Sequence, residues 1–302
     1  MNSLKTLTVY LGSSGHARPV FQKSAADLGI LIGASGKKLV YGGMDAGLMG
    51  ELARNALKAG GAVTGIIPQK LKDSERILTG LTETILVSDL WERKRRMFHA
   101  ADAIISLPGG FGTLDESLEV LYWGHLGLHR KPLLLVNIEH YWDSLITYLK
   151  TLPDFDARYL VVADSVESVM PALNAWTPPA DIVKLEQDLP HFEDEITRKT
   201  SDSILIDQAT IENSYYAVCA LGLKQLGKHS RAIGFLNRNR QFDDLLAWFE
   251  AAERERFITP KCLQLFSVAD DEAQLRELLK SQTMINIDLH AEKWGERRKD
   301  KR

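Results

Sequence analysis

The chain has 302 residues, 45% of them apolar, a formal net charge of −3 and two cysteines. That length accommodates one large domain or two smaller ones, and the nearly balanced charge gives no general attraction to nucleic acid or to a membrane surface. Cys219 and Cys262 are too few for a disulfide scaffold or a zinc site; they fit a reducing compartment and read as small buried hydrophobes.

The opening stretch MNSLKTLTVYLGSS lacks a basic region followed by an apolar stretch and a cleavage site, so no signal peptide is expected. With no apolar run of about 18 residues, the sequence predicts a cytoplasmic protein without a membrane span. Strand and helix patterns then alternate. TLTVYLG (6–12) reads as a strand and PVFQKSAADLGILIGASG (19–36) as a helix stopped by glycine; KLVYGG (38–43) is a strand and GLMGELARNALKAGG (47–61) a helix with the same kind of stop. AVTGIIP (62–68) and TILVSD (84–89) are strands, followed by the helix LWERKRRMFHAA (90–101), the strand AIISLPGG (103–110) and the helix TLDESLEVLYWGHLG (113–127). PLLLVN (132–137), YWDSLITYLKTL (141–152), YLVVAD (159–164) and SVESVMPALNAW (165–176) complete the series. The strands are near-continuous Val, Ile and Leu rather than alternating, which implies a parallel sheet covered on both faces. The fold class predicted for 1–176 is a doubly wound, Rossmann-like α/β sheet of about seven strands, with its ligand at the carboxyl ends of the strands.

Residues 177–200 hold three prolines and many charges and read as a linker. Helix and strand patterns resume to about 280, as a smaller α/β region within 201–302. The tail KWGERRKDKR reads as a solvated end.

The stretch PGGFGT (108–113) directs attention to chemistry. Glycines let a phosphate approach the backbone, and bare N–H groups at a helix start bind it, with the Thr113 hydroxyl as a further donor. Thr113 and Glu116 also spell T-x-x-E, a capping box in which Glu116 would only close the helix start. A carboxylate there could equally stabilise positive charge at an anomeric carbon or activate water. Asp115 reads as a solvated first-turn acid. Upstream, Arg95 and Arg96 read as a solvated basic face, whereas Arg93 shares a helix face with Leu90 and Met97 and needs an anionic partner.

PGGFGTLDE resembles the P-G-G-x-G-T-x-x-E signature of the LOG-type phosphoribohydrolases, and ERKRRM resembles their R-K motif. The resemblance spans roughly residues 5–176 and includes GSS at 12–14, VYGGMDAGLMG at 40–50 and GIIPQKL at 65–71. It implies a Rossmann-like fold, a homodimer or dimer-based oligomer, and cleavage of nucleoside 5′-monophosphates (cytokinin ribotides, AMP) to a free base and ribose 5-phosphate. The histidines are scattered with no paired metal-ligand spacing, so no metal or redox cofactor is expected, and the lysine decarboxylase label that many relatives carry finds no support in these residues. By the same resemblance Arg93 and Glu116 take the catalytic places. Gly109, Gly110, Gly112 and Thr113 form the phosphate loop, Lys94 is the second basic position, and Glu75 is an upstream acidic contact. Gly12, Ser13, Gly42 and Gly43 edge the crevice. Two departures bear on base preference: Met44 follows the second glycine pair where a third glycine is usual, and Tyr122 stands where many members carry a small hydroxyl residue. The alternatives are a non-catalytic nucleotide or molybdenum-cofactor carrier, whose loops are similar, and an oligomeric scaffold acting through the C-terminal region. The helix after the glycine loop, with Leu118, Leu121, Tyr122 and Trp123, is expected to pair with its equivalent across a two-fold axis.

Residues 201–281 lie outside the resemblance but echo the first half. LGLHRKPLLLVNIEHYWDSLITYL from 126 and LGKHSRAIGFLNRNRQFDDLLAWF from 226 share Leu, Gly, His, Asn, Asp and Leu at a constant offset. This predicts a degenerate partial copy with about three parallel strands. Its glycine loop is expected to be deleted, so that Thr210 faces Thr113 and Asn213 faces Glu116. Removal of this region is expected to leave the chemistry in place.

Overall fold

A computed structural model of the chain describes residues 4–71, 77–180, 189–198 and 203–289. The valine-, isoleucine- and leucine-rich segments form β1 (Thr6–Tyr10), β2 (Lys38–Tyr41), β3 (Val63–Pro68), β4 (Glu83–Val87), β5 (Ala103–Ser106), β6 (Leu133–Val136) and β7 (Leu160–Ala163). Between and after them lie α1 (Pro19–Ala34), α2 (Gly47–Lys58), α3 (Leu90–Ala100), α4 (Phe111–His125), α5 (Asp143–Thr151) and α6 (Val169–Ala175). The strands make one parallel sheet in the order β4-β3-β2-β1-β5-β6-β7. Inner strands β3, β5 and β6 are buried at every residue, whereas the edge strands β4 and β7 are partly exposed. The chain builds outward from β1 on one side and then returns to place β5 on the other. The carboxyl ends of β1 and β5 therefore flank the switch point, where open parallel sheets hold their ligands. Both glycine-bearing segments end there, joined by a bond from the Gly12 N–H to the Pro108 carbonyl (3.1 Å).

The second half contains α7 (Glu193–Arg198), β8 (Ser203–Ile206), α8 (Ile211–Gln225), β9 (Ala232–Leu236), α9 (Asp243–Arg254), β10 (Ser267–Ala269) and α10 (Glu272–Ser281). Its three strands form a separate parallel sheet, β10-β9-β8, as a copied strand–helix–strand unit requires.

The structure refines the echo between the halves. β5 and β8, α4 and α8, and the starts of α5 and α9 each differ by 100 in number. Local details repeat at the same offset. Gly127 and Gly227 are both left-handed (φ 70° and 67°), as are Glu139 and His140 beside Asn239 and Arg240. The Asn137 amide donates to Asp143 at 2.7 Å, and that of Asn237 to Asp243 at 2.7 Å. His129 meets the Val120 carbonyl at 2.9 Å, and His229 the Ala220 carbonyl at 2.8 Å. The offset also corrects the expected deletion. Leu107–Pro108–Gly109–Gly110 and Asp207–Gln208–Ala209–Thr210 have the same length, so the glycine loop is replaced residue by residue. Thr113 consequently corresponds to Asn213, and Glu116 to Tyr216.

Two further expectations change. The described part of the segment read as a linker is packed: Leu189 and Ile196 are buried, the Trp123 indole donates to the Pro190 carbonyl at 2.8 Å, and His191 stacks on Trp91 with ring centroids 4.0 Å apart. The C-terminal tail lies outside the described residues. The main apolar core runs from Leu7 to Ile287, through the packing of α4 on α8 and α5 on α9, with a small second cluster around Leu236 and Leu275. Of the α4 residues expected to meet a second chain, Tyr122 faces α8 of its own chain and Trp123 packs on Trp91, Phe98 and Pro190. Removal of the second half would bare Phe111, Trp142 and Tyr148, all nearly fully buried. An independently working first half is therefore not what this packing supports. Among the described residues no helix is long and apolar enough to cross a membrane.

Candidate active site

A cavity of about 420 Å³ opens at the switch point. The first half lines it with Gly12, Ser13, Arg93, Gly110, Thr113 and Glu116, among others. The second half adds Cys219, Gly222, Leu226 and Phe257.

The loop after β5 leaves α4 with an open start. The helix begins at Phe111, with Gly110 as its N-cap, no side-chain cap and no acid in its first turn. The N–H groups of Phe111, Gly112 and Thr113 precede the first intrahelical bond, from the Leu114 N–H to the Gly110 carbonyl (3.0 Å). These are the groups that hold a phosphate. The capping box is excluded, because Thr113 already lies inside the helix and Glu116 a turn further along. Gly109 lies beneath the loop: a Cβ there would stand 2.6 Å from that of Thr113 and 2.9 Å from the Gly12 nitrogen. Its carbonyl accepts the Tyr141 hydroxyl.

Arg93 lies on α3, a helix capped by Asp89, whose carboxylate accepts the Glu92 N–H at 2.8 Å. The guanidinium crosses Gly42 so closely that a Cβ at that position would lie 3.0 Å from its Cζ. Its Nε is buried without a partner, and among the described residues no carboxylate forms an ion pair with it. A buried cationic donor left open in this way is suited to an anion. Glu116 is 8% exposed, and burial pushes its carboxyl up to about 7, against the pull of Arg93 and then Lys94.

Lys94 is engaged by carboxylates of its own chain. Its ammonium is buried between Asp115 (3.0 Å), Glu119 (3.1 Å) and Glu193 (3.1 Å). Burial opposes its charge, but Asp115 and Glu119 foremost hold its pKa well above the usual lysine value. Asp115, expected to be solvated, is thus a buried member of this cluster, and burial raises its carboxyl. Burial likewise raises Glu119, which accepts the Tyr215 hydroxyl.

The crevice therefore brings together Arg93, Glu116, Gly110, Gly112, Thr113, Gly12 and Ser13, and Lys94 reaches its wall. Gly109, Gly42 and Gly43 support it from outside; Gly43 adopts φ 80° at a turn against Ile67. Glu75 lies outside the described residues. Met44 does line the cavity, as expected. Tyr122 does not: it faces α8, 5.7 Å from the Tyr215 ring, and donates to Glu212 at 3.3 Å. The sequence did not point to the lining residues of α8 or Phe257, nor to Glu193 of α7. The only signal for the former was the internal echo.

A parallel α/β sheet with an uncapped helix start, an unpaired buried arginine nitrogen and a buried acid at its switch point defines an α/β protein whose crevice is suited to an anion beside an ionisable group. The family model described as "Possible lysine decarboxylase" matches residues 49–173 and 212–279. The chain belongs to this family, that of the LOG-type proteins. It is 38% identical over 185 residues to a cytokinin riboside 5′-monophosphate phosphoribohydrolase of Arabidopsis thaliana, a match covering 59% of this chain and 80% of that protein. It is 43% identical over 147 residues to one from Rhodococcoides fascians, covering 48% and 74%. Among solved structures, a molybdenum-cofactor carrier protein of Chlamydomonas reinhardtii matches with a TM-score of 0.47 and 22% identity over 56% of this chain and 95% of that one.

Proposed function

We propose that this protein hydrolyses the N-glycosidic bond of nucleoside 5′-monophosphates, releasing the free base and ribose 5-phosphate. The observation that carries the reading is that a buried acid, Glu116, and a buried arginine nitrogen without a partner, Arg93 Nε, line one cavity at the open start of α4. The relatives' printed activities agree with it. The first-turn N–H groups of α4, Thr113 and Arg93 hold the 5′-phosphate, and so fix the ribose relative to Glu116. As the bond to the base lengthens, positive charge develops at the anomeric carbon. Ionised Glu116 stabilises that charge and draws a proton from the attacking water. Water supplies the new hydroxyl at the anomeric carbon, and the base leaves with the bonding pair and a proton. Met44, Met49, Leu90 and Leu226 give the cavity an apolar side suited to a base or to an alkyl group on it.

The phosphate requirement is tested by free-base release from AMP and adenosine at equal concentration. AMP is expected to be cleaved and adenosine not; equal rates would remove the phosphate-loop assignment. A pH series tests the acid. Because Glu116 works ionised and its pKa lies at about 7, kcat/KM is expected to rise through that pH and level off above it. A profile flat between pH 5 and 8 would contradict this role.

A further inference from the structure

The two halves do not merely resemble each other; they face each other reciprocally. In a two-fold interface, a contact between residue i and the partner of j is matched by one between j and the partner of i. Within this single chain the same pairing appears at the offset of 100. Trp142 stacks on Trp248 (5.6 Å between centroids, 8° between planes), and the image pair, Tyr148 and Phe242, lies 6.4 Å apart. Glu119 binds Tyr215, and its image, Cys219, stands beside Asp115, whose charge helps to raise the thiol's pKa after burial itself. Helix α4 packs on its counterpart α8, and α5 on α9.

The pairing breaks symmetry at one informative position. Tyr122 of the first half reaches Glu212 and Tyr215 of the second. Its image, Gly222, faces the images of those residues, Gly112 and Asp115, across the catalytic cavity. Tyr122 thus fills the pseudo-equivalent space, closed further by Phe192 at 5.7 Å. Gly222 leaves the living one open, and a Cβ there would meet nothing within 4 Å. A second asymmetry adds a wall. Asp243 to Ala269 is six residues longer than Asp143 to Ala163, which extends α9 and delivers Arg256–Ile258 to the glycine loops. There the Ser14 hydroxyl donates to the Arg256 carbonyl at 2.9 Å, and a Cβ on Gly12 would lie 2.7 Å from the Phe257 ring.

We propose that the chain is a single-chain pseudo-dimer, in which the half without the acid acts as a built-in second subunit and Gly222 on α8 sets the room available to the nucleotide. This rests on the proposed function for the identity of the ligand. It is tested by Gly222→Ala, Gly222→Leu and Gly222→Phe in the full chain, with KM from base release and Kd for AMP from calorimetry. Because the site is open and glycine is a poor helix former, the melting temperature is expected to hold or rise. KM and Kd are expected to increase stepwise with side-chain size, by tenfold or more for Gly222→Phe. Folded variants with unchanged KM and Kd would overturn the proposal. If the unsubstituted chain binds AMP without releasing base, the hydrolase reading fails, and the Kd series still decides whether the second half walls the site.

Discussion

Glu116→Gln is expected to lower kcat on nucleoside 5′-monophosphates by about 10²–10³-fold, the usual cost of removing one placed electrostatic group, without loss of stability. The structure separates the two effects. Glu116 lies within α4, past its first turn, and closes no cap, so the ~0.5–2 kcal/mol attached to a helix cap is not at stake. Its carboxyl is buried and raised from the ordinary 4.5 to about 7. Between those values the folded protein holds a proton that the unfolded chain releases, so stability falls as pH rises toward and through 7. The neutral amide does not ionise. Glu116→Gln is therefore expected to melt above the unsubstituted protein at pH 8, with a gain of at most ~3 kcal/mol, and to match it near pH 4. Thermal melts at both pH values, beside single-substrate kinetics, check this. Near-normal turnover in a folded Glu116→Gln protein would remove the acid from the mechanism.

The strands were legible because a parallel sheet buries both faces of each strand, and runs such as LLLV and AIIS have no other economical place. Arg93 was legible from spacing: between Leu90 and Met97 it had to enter the protein, and it did. The start of α4 was not. Gly110 and Gly112 are poor helix formers, so local propensity places the start at Thr113. Phe111, 1% exposed and set edge-on to Phe249 at 5.3 Å, anchors the start two residues earlier. Asp115 misled for a related reason. An acid near a helix start ordinarily faces water, but α8 and Glu193 cover this one, and neither is near it in sequence. The echo between the halves was visible, yet its consequence, a wall supplied to the active site, depends on how the halves dock. Periodicity along one chain carries no such information.

Lys94→Met is expected to destabilise the protein by about 3–5 kcal/mol at pH 8, the usual cost of breaking a buried ion pair from one side. The methionine replaces the volume of the lysine stem, so the loss is electrostatic rather than a cavity effect. Lys94 is the ammonium that Asp115, Glu119 and Glu193 share, and its side chain is only 6% exposed. Without it, Asp115 and Glu119 must stay ionised unpaired or take up protons. Burial already holds both carboxyls above their usual range even with Lys94 present, and its loss raises them further. A carboxyl raised in the folded state favours folding at low pH and loses that contribution as pH rises through its folded pKa. The penalty of Lys94→Met is thus expected to shrink as pH falls from 8 to 5, where protons replace the ammonium. Urea titrations at the two pH values measure it. Adding Glu119→Gln to Lys94→Met should recover part of the loss, because the amide keeps an acceptor for the Tyr215 hydroxyl and carries no charge. A penalty that is the same at both pH values, or a double variant no more stable than Lys94→Met alone, would mean that the cluster is held by packing rather than by its charges.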